Sequence, residues 1–141
     1  LGVCYERTYE GEPAMKLEAV ATEGRYVLKN LKPLIDKNLL NTTELLQAIF
    51  SQRDKCSVAD LAFSAQSYLA RGLAQLAVDE AHRLGVGIVG FSGGVAYNEH
   101  ITLTIEKVVE ESGLRFVVSE LVPPGDGGVS FGQAVVAAWK T

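Results

Sequence analysis

The spacing of apolar residues changes along this chain from helical to strand-like. Between residues 58 and 84, apolar and small residues alternate at steps of four and three, which predicts one long, largely buried helix. Shorter helices are predicted, from helix-forming residues, end signals or apolar spacing, over about 13–21, 43–51, 101–112 and 130–139. The pattern is weak over 24–40, where only a short strand at 26–28 is predicted.

Two short apolar runs towards the end of the chain are predicted to be strands. Residues 86–91 form a continuous run of the kind expected for a strand buried on both faces, and 114–118 form a second run. A helix separates them, so the order predicts a right-handed parallel βαβ unit with ligands at the carboxyl ends of its strands. The fold class is therefore α/β and helix-rich, and 141 residues predict a single unit.

Composition narrows the class of protein. Hydrophobic residues make up 48% of the chain, which excludes a disordered regulator, and the net charge of -4 gives no basic surface for nucleic acid or an anionic membrane. The longest stretch without Asp, Glu, Lys or Arg is 84–98, too short and glycine-rich to span a bilayer. Cys4 and Cys56 form no CxxC pair, which suits a reducing cytoplasm. The chain opens without a signal sequence and its only methionine is Met15, so Leu1 is expected to be a cut point within a longer polypeptide.

Three glycine motifs overlap after the long helix. Gly85–Gly90 fits G-x-G-x-x-G, but these glycines end a helix and lie inside a strand, whereas a dinucleotide site needs them between a strand and a helix. Gly85 is expected to cap the helix, and Gly87 and Gly90 to be packing points. Residues 90–94 fit G-x-S-x-G in the right context, but a hydrolase would need a histidine after its acid, and no histidine follows Asp126.

A phosphate cradle is the third interpretation of this segment. The amides of Gly93, Gly94 and Val95 lie between a strand and a helix, where they can point at an anion near the positive helix end. Asn98, one turn later, can add an amide contact. The alternative is a tight turn with Asn98 on the surface, and the spacing alone leaves both open.

Asp126 also has two interpretations. It lies among three glycines after a double proline, where it can cap the last helix or hold a hard cation at nucleotide phosphates. Spacing alone favours the cap, although a cap does not need three glycines. His82 and His100 lack metal-type spacing and are expected to be structural or surface residues.

Three segments together resemble a known family: 9–18 (YEGEPAMKLE), 91–98 (FSGGVAYN) and 122–134 (VPPGDGGVSFGQA). They are similar, in order, to the last part of the HypF carbamoyltransferases of [NiFe]-hydrogenase maturation. The resemblance implies that residues 1–141 are mainly the second lobe of an actin-like nucleotide-binding domain, related to the tRNA threonylcarbamoyltransferases.

The resemblance also implies a reaction and its participants. With ATP and Mg²⁺, carbamoyl phosphate becomes a carbamoyl-adenylate, and the carbamoyl group passes to the C-terminal cysteine of a HypE-like acceptor. A further divalent metal, iron or zinc, is expected in the complete domain. Matched residue by residue, the nucleotide-binding residues are Gly93, Gly94, Asn98, Glu18 and, less closely, Gly11; Asp126 matches the metal-binding carboxylate.

Several positions depart from the family pattern. Ala96-Tyr97 stand where Phe-Gln is usual, Gly125 where Asn is usual, and Ser64 where His is frequent. Ala96 instead is similar to the threonylcarbamoyltransferases. In the family, the paired histidines (HxxxH) that complete the metal site belong to the first lobe. No HxxxH occurs in this sequence, so the isolated chain is expected to be inactive. A related transferase, or a non-catalytic nucleotide-binding or interaction module, remains as the alternative, and no catalytic residue is assigned.

Overall fold

The computed structural model describes residues 1–139, which form helices around a small parallel sheet. The elements in chain order are α1 (Glu12–Ala21), β1 (Ile35–Asp36), β2 (Leu39–Leu40), α2 (Thr43–Gln52), α3 (Val58–Leu84), β3 (Ile88–Phe91), α4 (Glu99–Glu111), β4 (Arg115–Val118) and α5 (Val129–Trp139). Two 3₁₀ turns, Gly94–Tyr97 and Asp126–Gly128, precede α4 and α5. Among these residues, no helix is both long and apolar enough to cross a bilayer.

The helix α3 has the bounds that its apolar spacing predicted. Its N-terminus is capped by Ser57, whose Oγ accepts a hydrogen bond from the amide of Asp60 at 3.0 Å. Gly85 ends the helix in the left-handed conformation, with φ 68°, as the sequence predicted. Local signals at both ends therefore define this helix.

Two hydrophobic clusters within residues 1–139 include residues of α3. One lies between α3, α4 and the start of β4, and consists of Ala70, Ala74, Val78, Ala81, Ile101, Ile105, Val109 and Leu114. The other joins α3 to α2 and the preceding loop through Leu28, Leu45, Leu61 and Tyr68. Because α3 contributes to both clusters, it connects α2 and the loop before it to α4 and β4.

The predicted βαβ unit is present, and one detail of it was wrong. β3 pairs in parallel with β4, from Ile88 opposite Arg115 to Phe91 opposite Val118, with α4 between the two strands in sequence. However, β3 is not buried on both faces: Val89 and Phe91 pack on the α3–α4 cluster, whereas Ile88 on the other face is 53% exposed. Gly87 is not a packing point either, because a Cβ there would meet no atom within 4 Å.

The weakly patterned region forms a short hairpin that the sequence did not predict. No strand forms at 26–28; instead the amide of Val27 donates to Ser64 Oγ at 2.9 Å and Leu28 is buried. β1 and β2 pair antiparallel through a two-residue turn at Lys37 and Asn38, both with positive φ. The amide of Val27 is therefore bonded to α3 and is not available for the hydrogen bonds of a strand.

Candidate functional site

Two loops leave the same edge of the parallel sheet and meet there. Phe91 and Val118, the last residues of β3 and β4, are opposite each other, so the loops that follow them start side by side. The amide of Gly93 in the first loop donates to the carbonyl of Pro124 in the second at 2.7 Å. The structure therefore brings together the glycine loop and the segment that carries Asp126, at the strand ends where ligands bind in such sheets.

The glycine loop differs from the predicted cradle in one donor. Gly93 has φ 103°, a conformation that side chains rarely adopt, and its amide is used by Pro124. Within residues 1–139, no backbone hydrogen bond involves the amides of Gly94 and Val95. A Cβ at Gly94 would meet no atom within 4 Å, so the space beside it is open. The donors left for an anion are therefore those of Gly94 and Val95.

Asn98 is buried, which excludes the surface position that was one of its two interpretations. It is 8% exposed, and its Oδ1 accepts a hydrogen bond from the amide of Ile101 at 2.9 Å, the geometry of an N-cap. The 3₁₀ turn Gly94–Tyr97 separates the glycine loop from α4, so the α-helix begins later than a direct strand-to-helix turn requires. Capping uses the oxygen of Asn98 and leaves its amide nitrogen as the group able to contact a ligand.

Glu18 reaches the same helix end from α1. Its Oε1 accepts a hydrogen bond from the amide of Glu99 at 3.1 Å, directly after Asn98. A carboxylate at this position interacts favourably with the partial positive charge of the helix N-terminus. The structure therefore places the Glu18 carboxylate at the residue that directly follows Asn98.

The segment around Gly11 has a clear structural role. Gly11 precedes α1 with φ 80° and ψ -10°, a left-handed conformation that suits glycine. The next residue, Glu12, is buried and accepts hydrogen bonds from the amide and hydroxyl of Thr8, at 2.5 and 2.8 Å, and from Lys16 at 2.7 Å. The bond from Lys16, followed by those from Thr8, lowers the pKa of Glu12 to about 2. Glu12 was not singled out from the sequence.

The carboxylate of Asp126 is exposed beside the glycine loop. Asp126 begins a 3₁₀ turn three residues before α5, and its side chain makes no hydrogen bond within residues 1–139, unlike the capping residues Ser57 and Asn98. A free carboxylate suits Mg²⁺, which usually takes one or two carboxylates together with substrate phosphates. Within residues 1–139, no three His, Cys, Asp or Glu residues cluster as a metal site.

His100 has the structural role expected for it. Its Nε2 lies 2.8 Å from the hydroxyl of the buried Ser67, and its ring packs on Phe63 with centroids 4.1 Å apart. Burial, with a smaller contribution from Arg71, lowers the pKa of His100. The neutral ring therefore joins α4 to α3.

Tyr97 and Gly125 contact each other between the two loops, which sequence reasoning did not anticipate. A Cβ on Gly125 would lie only 2.8 Å from Tyr97 Cε2. The sequence did carry a signal, because both positions depart from the same family pattern. No local sequence pattern indicated that Tyr97 and Gly125 would contact each other.

These features define a class of protein: a helix-rich lobe with a parallel strand pair whose glycine and aspartate loops face one site. The family described as "Carbamoyltransferase, Kae1-like Domain, second subdomain" matches residues 1–133, and the chain belongs to this HypF family. The probable carbamoyltransferase HypF of Methanocaldococcus jannaschii is 39% identical over 99% of this chain. A tRNA N6-adenosine threonylcarbamoyltransferase of Synechococcus sp. is 32% identical over 67% of it and 26% of the relative.

Solved structures agree on the fold. The crystal structure of T. kodakarensis HypF matches 97% of this chain with a TM-score of 0.87 and 49% identity. A full-length HypF in its phosphate- and nucleotide-bound form matches 96% with a TM-score of 0.82 and 24% identity. The chain covers 18% of the M. jannaschii relative and 18% of each of these structures. The actin-like α/β fold is thereby confirmed.

Proposed function

We propose that this chain is the nucleotide-holding lobe of an ATP-dependent carbamoyltransferase. In the proposed reaction, water displaces phosphate from carbamoyl phosphate to leave carbamate. A carbamate oxygen then attacks the α-phosphorus of ATP, which forms carbamoyl-AMP and releases pyrophosphate. The C-terminal cysteine thiolate of a HypE-like acceptor then attacks the carbamoyl carbon, and AMP leaves. Family membership supports the carbamoyl chemistry, while the adenylate, the acceptor and a cytoplasmic location are parts of the proposal.

The hydrogen bond from Gly93 to Pro124 is the observation that carries this proposal. It holds the open amides of Gly94 and Val95 near the loop of Asp126. Amides bind phosphate oxygens and a carboxylate binds Mg²⁺, so the two loops together have the chemistry of a metal-nucleotide site. A HypF of the same fold was solved with phosphate and nucleotide bound, which agrees with a site of this kind.

In this proposal, the chain supplies one part of the active site, and other segments of a longer polypeptide supply the rest. The chain covers 18% of the M. jannaschii relative and 18% of T. kodakarensis HypF, and no three His, Cys, Asp or Glu residues cluster as a metal site within residues 1–139. We therefore assign nucleotide binding to Gly94, Val95, Asn98 and Glu18, and metal binding to Asp126. The remaining metal ligands and the groups that act on the carbamoyl carbon are assigned to segments outside residues 1–141.

Substitution of Gly94 tests the proposed site in the full-length protein. Gly94→Val places a branched side chain in the open space beside the cradle, so we expect loss of Mg·ATP binding and of carbamoyl transfer with the fold retained. Gly87→Val is the steric control, because Gly87 also has open space but lies before β3. Unchanged ATP affinity in the Gly94 variant would leave the loop as a simple turn.

A related threonylcarbamoyl transferase is the second candidate function. It is favoured by Ala96 and by the similarity to the Synechococcus enzyme. Assays with a HypE-like acceptor and with tRNA, each with its own carbamoyl donor, separate the two functions. ATP binding without transfer to either acceptor would instead favour the non-catalytic module.

A further inference from the structure

The backbone at Gly125 does not explain why glycine stands there. Its φ of -96° and ψ of -155° are extended, a conformation open to any residue. The space is the constraint, because an added Cβ would lie 2.8 Å from Tyr97 Cε2 and 3.6 Å from both Cζ and Oη of the same ring. The Tyr97 ring therefore occupies the space that a side chain at residue 125 would need.

This contact joins the same two loops as the Gly93–Pro124 hydrogen bond. Tyr97 ends the 3₁₀ turn that begins at Gly94, and Gly125 directly precedes Asp126. A single hydrogen bond leaves two segments free to rotate about it, whereas a second contact four residues along removes that freedom. The ring thus limits how far the Asp126 carboxylate can move from the Gly94 amide.

We propose that Tyr97 is a positioning residue that, seated against Gly125, holds the Asp126 loop at the distance needed for a metal-bound nucleotide. The inference rests on the proposed function, and names the residue that sets the geometry of the site. The ring provides the contact, since the Tyr97 hydroxyl has no hydrogen-bond partner within residues 1–139 and the side chain is 60% exposed. Tyr97→Phe is therefore expected to behave like the wild type.

Two alanine substitutions and their combination test this coupling in the full-length protein. Gly125→Ala forces the exposed ring away from the loop, so we expect Mg·ATP affinity to fall about three- to tenfold with little change in Tm. Tyr97→Ala removes the ring and is expected to weaken affinity to a similar extent. In the double variant the methyl group added by Gly125→Ala meets no ring, so the affinity should match that of Tyr97→Ala alone.

The outcomes separate this inference from the proposed function. Titration calorimetry with Mg·ATP gives the affinities, thermal melting reports the fold, and Gly87→Ala serves as the open-space control. Additive losses in the double variant, a Tyr97→Phe variant as weak as Tyr97→Ala, or lower Tm with unchanged affinity would each overturn the positioning role alone. A wild-type protein that does not bind Mg·ATP would overturn both proposals.

Discussion

At the scale of single residues, the carboxylates of Glu12, Glu18 and Asp126 differ in the hydrogen bonds that they accept. Glu12 and Glu18 both accept hydrogen bonds from backbone amides, and Glu12 also pairs with Lys16. Asp126 is exposed and makes no such bond within residues 1–139. The three carboxylates therefore differ in their hydrogen-bond partners. Substitution of each one is expected to affect stability or ligand binding accordingly.

Asp126→Asn tests the metal-binding role in the full-length protein. Asparagine has almost the same shape and caps helices about as well, so a structural role would lose little. As a neutral, poorer ligand for a hard cation, it is expected to weaken Mg-dependent nucleotide binding about 10- to 100-fold. Binding is measured with and without Mg²⁺, and Tm should stay near the wild-type value. Full affinity in the variant would contradict the ligand role, whereas a large fall in Tm would indicate a structural one.

Glu12 predicts a pH dependence of stability in acid. Its pKa falls from an ordinary value of 4.5 to about 2 on folding, chiefly through Lys16. Between these values the unfolded chain binds a proton that the folded protein does not, so the stability that Glu12 contributes is full above the higher value and lost as pH falls towards about 2. Glu12→Gln should be less stable at neutral pH and show a flatter profile in this interval. Denaturant titrations at several pH values measure both effects.

Glu10→Gln is the matched control for Glu12, because it makes the same change on an exposed side chain two residues earlier. It should keep the wild-type dependence on pH. Equal slopes for wild type and Glu12→Gln would mean that the Thr8 and Lys16 contacts do not stabilise the fold.

At the scale of elements, close approaches to α3 determine where the neighbouring segments lie. Gly24, just after α1, passes so near the first turn of α3 that an added Cβ would lie within 3 Å of the carbonyl carbon of Ala59 and of the Cβ of Phe63. Asp60 Oδ1 also accepts a hydrogen bond from the amide of Arg25 at 2.9 Å. The end of α1 is thus fixed against α3, while Glu18 reaches the start of α4.

Gly24→Ala tests this crossing. The new methyl group would meet the backbone of α3, which cannot rotate away as a side chain can, so we expect a loss of about 1–3 kcal/mol in the free energy of unfolding. Gly87→Ala provides the control, since its Cβ meets open space and should change stability by less than about 1 kcal/mol. Equal effects in denaturant titrations would show that α1 can shift without cost.

At the scale of the whole molecule, α5 is an exposed helix within residues 1–139. None of its residues from Val129 to Trp139 is buried, although most are apolar. Exposed apolar surfaces of this kind usually mark contacts with other protein. This agrees with the proposal that the chain works as one part of a larger carbamoyltransferase.

Nucleotide affinity measures how much of the site this chain contains. We expect residues 1–141 alone to bind Mg·ATP more weakly than the full-length protein, because they supply the cradle amides and a single metal-binding carboxylate. Parallel calorimetric titrations give the two affinities, and circular dichroism verifies that the short chain is helical. Affinity equal to that of the full-length protein would show that other segments contribute little to the site.

The sequence by itself determined the features that depend on neighbouring residues. The bounds of α3, its Gly85 cap and the order of β3, α4 and β4 follow from apolar period and end signals. The hairpin of β1 and β2 was missed because its turn at Lys37 and Asn38 lacks the usual glycine. The motif order also indicated the family and placed Gly94 and Asp126 in loops after adjacent strands.

Only the tertiary structure decided which groups meet. Glu18 and Glu99 are 81 residues apart in sequence, and their hydrogen bond depends on how α1 and α4 pack on α3. The hydrogen bond from the Gly93 amide to Pro124 likewise forms because two strand ends lie side by side. The contact between Tyr97 and Gly125 has the same origin. Local patterns do not encode such contacts, because each contact depends on how separate elements are positioned relative to one another. The sequence pattern specifies which face of an element is buried, but not which atoms that face will meet.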